Sequence, residues 1–236
     1  KIFGINHIAY RIPAVLCLFL AAFSVKKIAD LLYKNENLSY TASLIFLASQ
    51  TIILSAHDVR TDAVLTGFIA LSVWQFLAFI KTQKISNVIL AGFFTALAFS
   101  SKGLMAIVII GFSVFSYLLY SREWLKFFNV KIIFAALSFG VGILPILYAY
   151  YHQFGNEGVE FILFNQSVNR LQAKGFEQNS PDYPFFFHTL LWAFLPFSIA
   201  FYTGVFERTR NLIKEKFKKV EGVEILTLDG LWLVSL

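Results

Sequence analysis

The residues best suited to chemistry lie in one short polar stretch, His57-Asp58-Val59-Arg60-Thr61-Asp62, which separates two long apolar runs. A charged side chain at the centre of a bilayer costs about 2.5–3.5 kcal/mol on insertion scales, so charges between apolar runs usually have a partner or a task. Asp58 or Asp62 could act as a base, or could hold an acceptor amine or a metal, and Arg60 could hold a phosphate through its planar guanidinium. The alternative is a solvated turn, with Asp62 favoured by the dipole of the helix that follows it.

A second polar stretch, Ser100-Ser101-Lys102-Gly103, also separates two apolar runs. Gly103 would allow a tight turn or a close approach of the backbone to a ligand. Lys102 could serve as a point charge for a phosphate, or it could extend towards lipid headgroups. The stretch is not a nucleotide-binding P-loop, because the GxxxxGK[ST] spacing is absent.

The third candidate is a polar segment, residues 152–183, that is too polar to span a membrane and is long for a passive connection. Long loops on a rigid scaffold often carry function. Asn169, Arg170 and Lys174 in this segment could bind an anionic headgroup. The aromatic residues that follow suit the membrane interface, and His188 is interpreted as structural.

Composition identifies the scaffold that must hold these residues. The 236 residues are 58% hydrophobic and only 14% charged, with a mean hydropathy of +0.68, whereas soluble domains contain about 25% charged residues. The apolar runs are long and do not alternate, which favours membrane-spanning helices over a barrel. No Gly-x-Ser-x-Gly, HExxH or Rossmann glycine motif occurs, so the known soluble-enzyme patterns find no support.

We therefore predict an all-α, polytopic transmembrane helix bundle of about seven to eight spans. The expected spans are residues 10–32, 40–56, 63–80, 88–100, 104–120, 132–151 and 185–206, with an eighth that begins near residue 225. If the loop after the first span is cytoplasmic, most of the 20 Lys and Arg residues fall on the cytoplasmic side. Their excess is then explained by membrane sidedness rather than by nucleic acid, and all three polar stretches lie on the outer face. Pro145 and Pro196 are expected inside helices, where they would introduce kinks.

At these polar stretches the chain resembles the GT-C superfamily of membrane glycosyltransferases, in the branch of the aminoarabinose transferase of lipid A and the protein O-mannosyltransferases. The segment from Phe3-Gly4-Ile5-Asn6 to Arg11-Ile12-Pro13 is similar to the family pattern FG-x-N…ARLP. Arg60-Thr61-Asp62-Ala63 resembles R-x-D-A, Ser101-Lys102-Gly103 resembles TKG, and Asn169-Arg170 resembles NR. Each motif is short, but their order and their shared outer side make the match more specific.

The resemblance implies transfer of a sugar from a polyprenyl-phosphate donor to a lipid or protein acceptor on the extracytoplasmic face, within a bacterial inner membrane. It implies that basic residues hold the donor phosphate and that carboxylates or loop residues contact the acceptor, with a divalent metal left open. The donor phosphate is assigned to Arg60, Lys102, Arg170 and Lys174, an auxiliary catalytic role to Asp58 and Asp62, and acceptor or loop contacts to His57 and Asn169.

Two departures from the family pattern affect these expectations. The main catalytic Asp of the family lies in an outer loop ahead of the stretch where this chain begins, so we interpret residues 1–236 as part of a transmembrane glycosyltransferase domain that is inactive alone. Residues 177–182 also lack the His that the family often has in the long loop, which leaves the acceptor class open.

A transporter or lipid flippase is the competing function. Such proteins also place charges among membrane helices, but they are expected to show internal repeats or charges near the middle of the bilayer. Here the charges cluster at the ends of the apolar runs and no internal repeat is found. The pattern therefore favours the transferase.

Overall fold

The computed structural model describes residues 7–57, 61–165 and 185–214, and these ranges contain helices and turns but no strand. The helices are α1 (His7–Tyr33), α2 (Glu36–Ala48), α3 (Gln50–His57), α4 (Asp62–Thr82), α5 (Ile85–Lys102), α6 (Leu104–Ser121), α7 (Trp124–Phe127), α8 (Ile133–Glu160), α9 (Phe185–Ala193) and α10 (Ser198–Lys214). A 3₁₀ turn, Val130–Ile132, precedes α8, and a π-helical turn, Phe161–Asn165, follows it. The all-α prediction is confirmed.

The predicted number of spans was too high for the described residues. Four helical stretches are long and apolar enough to cross a membrane: Tyr10–Tyr33, Asp62–Thr82, Ile85–Lys102 and Val130–Phe164. A fifth is possible if α2 and α3, which are bent by 54° relative to each other, form one broken span. The apolar part of α6, Leu104–Leu119, is shorter than each of these four stretches. The predicted eighth span lies outside the described residues.

The predicted seventh span, residues 185–206, is two helices rather than one. Helices α9 and α10 are separated by a turn at residues 194–197, so Pro196 lies between helices and not inside one. Pro145 does lie inside α8, as predicted. Helix α8 also continues to Glu160, so the described first part of the expected 152–183 loop is helical, with a change of backbone direction at Gly155 (φ 64°, ψ −151°).

Small residues allow the spanning helices to approach closely. Helix α4 packs between α1 and α5, and α5 packs in turn on α8. A Cβ atom added at Gly67 of α4 would lie 2.7 Å from the carbonyl oxygen of Cys17 in α1. One added at Gly92 of α5 would lie 2.8 Å from the carbonyl carbon of Ala135 in α8 and even closer to its oxygen. In lipid, where association depends on close packing rather than on exclusion of water, such glycines hold the bundle together.

A buried hydroxyl pair joins α4 to α5. Ser72 Oγ and Thr95 Oγ1 lie 2.8 Å apart, and Thr95 donates to the carbonyl oxygen of Ala91 at 2.8 Å. Because each hydroxyl has one proton, Ser72 is left to donate to Thr95 or to Ala91, whose oxygen lies 3.2 Å from Ser72 Oγ. Such interhelical bonds average about 0.6 kcal/mol in membrane proteins, so this pair adds to the packing rather than dominating it.

Hydrogen bonds join two interruptions of helical structure, the break between α2 and α3 and the turn between α9 and α10. The break between α2 and α3 leaves the backbone N–H of Gln50 without a partner in its own helix, and it donates to the carbonyl oxygen of Leu195 at 3.0 Å. Thr51 Oγ1 donates to the carbonyl oxygen of Ala193 at 3.1 Å. A membrane interior offers no water to these groups, so the two breaks are compatible with a bilayer because they lie against each other.

The outward surface of the bundle is apolar. Large side chains such as Leu16 and Phe19 of α1, Phe112 of α6 and Leu144 of α8 are exposed. A soluble monomer rarely exposes so continuous an apolar surface. The helix lengths and this surface together identify an integral membrane protein.

The contact between α5 and α8 can be tested with a pair of glycine variants. Gly92→Ala should destabilise the protein by about 1–3 kcal/mol, because its methyl group must displace the backbone of Ala135. Gly140→Ala, where an added Cβ meets nothing within 4 Å, should instead be neutral or stabilise by up to about 1 kcal/mol through helix propensity. Unfolding of the detergent-solubilised protein measures both changes, and equal effects of the two variants would contradict the close α5–α8 approach.

Candidate active site

The structure brings together two of the residues singled out in the sequence, Asp62 and Lys102. Asp62 is the first residue of α4 and Lys102 is the last residue of α5. Lys102 Nζ and a carboxylate oxygen of Asp62 form an ion pair, with the lysine side chain 30% exposed and the aspartate side chain 45% exposed. The end of the bundle where α4 begins and α5 ends is called the ion-pair end below.

The turn at Gly103 positions Lys102. Gly103 has φ 66° and ψ −145°, a backbone conformation that residues with a Cβ rarely adopt. Its N–H donates to the carbonyl oxygen of Phe99 at 2.7 Å and closes the last turn of α5. Helix α6 then begins at Leu104. The tight turn expected from sequence is therefore present, and it leaves Lys102 at the end of its helix beside Asp62.

The neighbouring serines have structural roles. Ser100 Oγ donates to the carbonyl oxygen of Ala96 at 2.8 Å, and Ser101 Oγ donates to that of Leu97 at 3.3 Å. Both bonds stay within α5, as is common for serine in membrane helices. In the Ser100–Gly103 stretch, the group directed towards another helix is the Lys102 ammonium.

His57 ends α3 at the same end of the bundle, because Ala14, Leu18 and Ala63 pack together with Ile52 and Ala56 of α3. The Nδ1 atom of His57 lies 2.9 Å from the carbonyl oxygen of Ile53. A carbonyl oxygen only accepts hydrogen bonds, so Nδ1 must carry the proton. In the neutral imidazole, Nε2 is then the acceptor, which suits contact with a hydroxyl or amine of an acceptor molecule.

The remaining predicted site residues lie outside the described residues: Asp58, Arg60, Asn169, Arg170 and Lys174. Their assignments stay predictions. Within the described residues there is no group of three or more His, Cys, Asp or Glu side chains that could hold a metal ion. Asp62 therefore belongs to no such group among the described residues, and the metal role of Asp58 stays a prediction.

The arrangement offers two chemical functions at one partly exposed position at the end of the bundle. The Lys102 ammonium can stabilise a negative charge, and the Asp62 carboxylate can accept a hydrogen bond or a proton. Sequence reasoning placed both residues at outer helix ends but did not predict their direct contact. The contact depends on how α4 and α5 are rotated about their axes, which no local motif encodes.

The role of the Gly103 turn is testable by substitution. Gly103→Ala should destabilise the protein by about 1–3 kcal/mol, because alanine must adopt a strained positive φ. It should also weaken the Lys102–Asp62 contact by changing the direction of the last turn of α5. Thermal unfolding in detergent measures the first effect, with Gly140→Ala in the middle of α8 as the control. If Gly103→Ala unfolds at the same temperature as the control, the turn is not strained.

Comparisons with known proteins identify a family and several relatives for this chain. The family description of the dolichyl-phosphate-mannose-protein mannosyltransferases matches residues 1–149, which is more than half of the chain. That range includes both members of the ion pair. No solved structure matches the chain significantly.

Curated bacterial proteins are also similar to it. The undecaprenyl phosphate-alpha-4-amino-4-deoxy-L-arabinose arabinosyl transferase 1 of Proteus mirabilis (strain HI4320) is 30% identical over 112 residues, which cover 46% of this chain and 20% of that protein. The transferase of the corresponding name from Wigglesworthia glossinidia brevipalpis is 23% identical over 225 residues, covering 93% of this chain and 39% of that protein. The chain thus spans well under half the length of these relatives. On the family match, and in agreement with the motifs, the chain belongs to the dolichyl-phosphate-mannose-protein mannosyltransferase family.

Proposed function

We propose that this chain forms part of a glycosyltransferase that moves a sugar from a polyprenyl-phosphate donor to a lipid or protein acceptor. The proposed location of the reaction is the extracytoplasmic face of a bacterial inner membrane. The observation that carries the proposal is the Lys102–Asp62 ion pair at one end of an apolar helix bundle. The names of the relatives, which specify an undecaprenyl phosphate-linked aminoarabinose donor, support the polyprenyl class of substrate and make lipid A a candidate acceptor.

Lys102 is the proposed partner of the donor phosphate. Its ion pair with Asp62 is partly exposed, and such pairs contribute only about 0–1 kcal/mol. A hydrogen bond to a charged group contributes about 1.5–3 kcal/mol, so a phosphate that arrives with its sugar can displace the carboxylate. Lys102 then stabilises the negative charge that grows on the phosphate as the bond between the sugar and the phosphate breaks.

Asp62 is proposed to contact the acceptor once Lys102 has moved to the phosphate. Its position in the first turn of α4 places the carboxylate at the positive end of the helix dipole. An ionised carboxylate can hold an acceptor hydroxyl or amine by a hydrogen bond, within the reach that proton transfer requires. As the acceptor oxygen bonds to the sugar, its proton passes to a carboxylate. Asp62 and Asp58 are proposed to assist this proton transfer.

The other assignments rest on proximity in the sequence and on the resemblance to the family pattern. Arg60 is two residues from Asp62, and covalent geometry limits their Cα atoms to a separation of about 7 Å. The guanidinium of a side chain that starts so near Asp62 could reach the same phosphate and add a second, bidentate contact. Arg170, Lys174 and Asn169 remain proposed contacts from the long loop, and His57 a proposed acceptor contact.

The transporter alternative gains no support from the described helices. The interior of α4 carries Ser72 and Gln75 as buried polar side chains, and both are uncharged. The two charged residues of α4, Asp62 and Lys81, lie in its first and last turns. Ionisable groups within the bilayer commonly mark a substrate pathway, and the interior of α4 has none.

Removal of Lys102 tests the proposal. In the full-length protein, Lys102→Ala should lower kcat/KM for an undecaprenyl-phosphate-linked sugar by about 10- to 150-fold, which corresponds to the loss of about 1.5–3 kcal/mol of phosphate interaction. Lys102→Arg should retain more activity than Lys102→Ala because it keeps the charge. Initial rates of sugar transfer in proteoliposomes measure both variants.

Arg210→Ala is the matched control, since it removes an exposed cation from α10, to which no part in the reaction is assigned. Asp62→Asn should be tested alone and with Lys102→Ala. If the two residues act on one substrate complex, kcat/KM of the double variant should fall by less than the product of the two single-variant fold losses. Unchanged transfer by Lys102→Ala would overturn the assignment of the donor phosphate.

A further inference from the structure

A second feature extends from the level of Ile107 in α6 towards the other end of the bundle, where α4 ends and α5 begins. It is an open cavity of about 310 Å³ that is lined by parts of α4, α5, α6 and α7. Its walls are almost wholly apolar and include Phe76, Ile110, Val114, Trp124, Phe127 and Phe128. Thr95 also lines it, but its hydroxyl already bonds to Ser72 and to the carbonyl oxygen of Ala91. The cavity therefore suits a hydrocarbon rather than a polar ligand.

The cavity opens towards the surface of the bundle that faces lipid. Gly111 and Phe115 of α6 line it and are exposed. A Cβ atom added at Gly111 would meet nothing within 4 Å, so the missing side chain leaves an opening in the wall. A volume of about 310 Å³ can hold a segment of one lipid chain but not a whole lipid.

Aromatic rings form the end of the cavity nearest the loops. Trp124 stacks on Phe128 with ring centroids 6.2 Å apart, and Phe115 meets the Trp124 ring edge-on at 5.8 Å. Phe127 contacts Phe76 at 6.0 Å. Tryptophan is enriched where a bilayer changes from hydrocarbon to headgroups. The ring cluster therefore marks the level at which a bound lipid would pass from chain to headgroup.

The loops beside this ring cluster are strongly basic. Segments 81–84 and 122–131 contain five cations, Lys81, Lys84, Arg122, Lys126 and Lys131, and one carboxylate, Glu123. Lys126 donates to Glu123 at 2.6 Å, and the Tyr117 hydroxyl lies 3.4 Å from the same carboxylate group. Even without Lys81, the cations Lys84, Arg122, Lys126 and Lys131 outnumber this carboxylate, so the two segments carry a net positive charge.

Hydrogen bonds hold the two basic segments together. Gln83 Nε2 donates to the carbonyl oxygen of Lys126 at 2.9 Å, and Lys131 Nζ donates to the carbonyl oxygen of Gln83 at 2.9 Å. Arg122 and Lys84 are exposed on either side of this network. These bonds therefore hold the two basic segments against each other beside the ring cluster.

We propose that this cavity and its basic rim form a binding site for an anionic phospholipid, with one acyl chain in the cavity and the phosphate at the rim. Basic pockets between membrane helices bind anionic headgroups, and the rim has the complementary charge. The predicted orientation places this end on the cytoplasmic side, where anionic lipids attract basic residues. The basic rim lies at the opposite end of the bundle from Lys102 and Asp62, and the proposal does not depend on the proposed transferase function.

The chain-binding part is tested by filling the cavity. The whole protein is titrated with phosphatidylglycerol and with phosphatidylcholine of the same acyl chains, and bound lipid is counted by native mass spectrometry. Gly111→Leu should weaken binding of phosphatidylglycerol at least tenfold, because the new side chain occupies the cavity. Gly140→Leu, which also enters open space but lies on α8 away from the cavity, should leave binding unchanged. Equal losses in the two variants would overturn the proposal.

The headgroup part is tested by removing exposed cations. Replacing Lys84 and Arg122 together by Gln should weaken phosphatidylglycerol binding by about 30-fold at low salt, at about fivefold for each basic residue, and should leave phosphatidylcholine binding unchanged. Arg210→Gln is the single-charge control. The proposal fails if the unmodified protein binds the two lipids equally. It also fails if equimolar undecaprenyl phosphate displaces phosphatidylglycerol, because the occupant would then be a donor lipid.

Discussion

The absence of hydrogen-bonding partners in lipid determines where this chain can place its charges. The interior of α4 is free of ionised side chains, with Asp62 in its first turn and Lys81 in its last. Helix α5 runs antiparallel to α4, so Lys102 returns to the level of Asp62 while Lys84 lies near Lys81. Because charges are excluded from the apolar interior, the hairpin gathers them at its two ends. The ion pair and the basic rim follow from this one constraint.

The same constraint explains how the helices are held together. In lipid, burial of apolar surface does not drive helices together, so short distances and internal hydrogen bonds must do so. Gly67 lets α4 approach Cys17, and Gly92 lets α5 approach Ala135. The Ser72–Thr95 pair adds a buried bond between α4 and α5. These contacts fix the positions of the helix ends, and with them the separation of Asp62 from Lys102.

Sequence reasoning succeeded where a property averages over many residues and failed where tertiary contacts decide. Hydropathy located α4, α5 and α6 to within three residues at each end, because each is a continuous apolar run between polar turns. It missed the breaks at Ser49 and at residues 194–197, since neither break contains a charged residue and both are flanked by apolar sequence. The hydrogen bond from Gln50 to Leu195 that makes these breaks tolerable joins distant segments. Gly103 was identified because its backbone freedom is a property of the residue itself, whereas the Lys102–Asp62 contact needed the packed helices.

The partial exposure of that ion pair bears on its use. A fully buried pair would resist exchange, because removal of one partner from a buried charge costs about 3–5 kcal/mol. The side chains of Lys102 and Asp62 are 30% and 45% exposed, so water can solvate either group while the other turns to a ligand. The pair keeps both side chains in place before a substrate arrives and costs little to open afterwards. For a site that is proposed to admit a phosphate and an acceptor together, an exchangeable pair is more useful than a strong one.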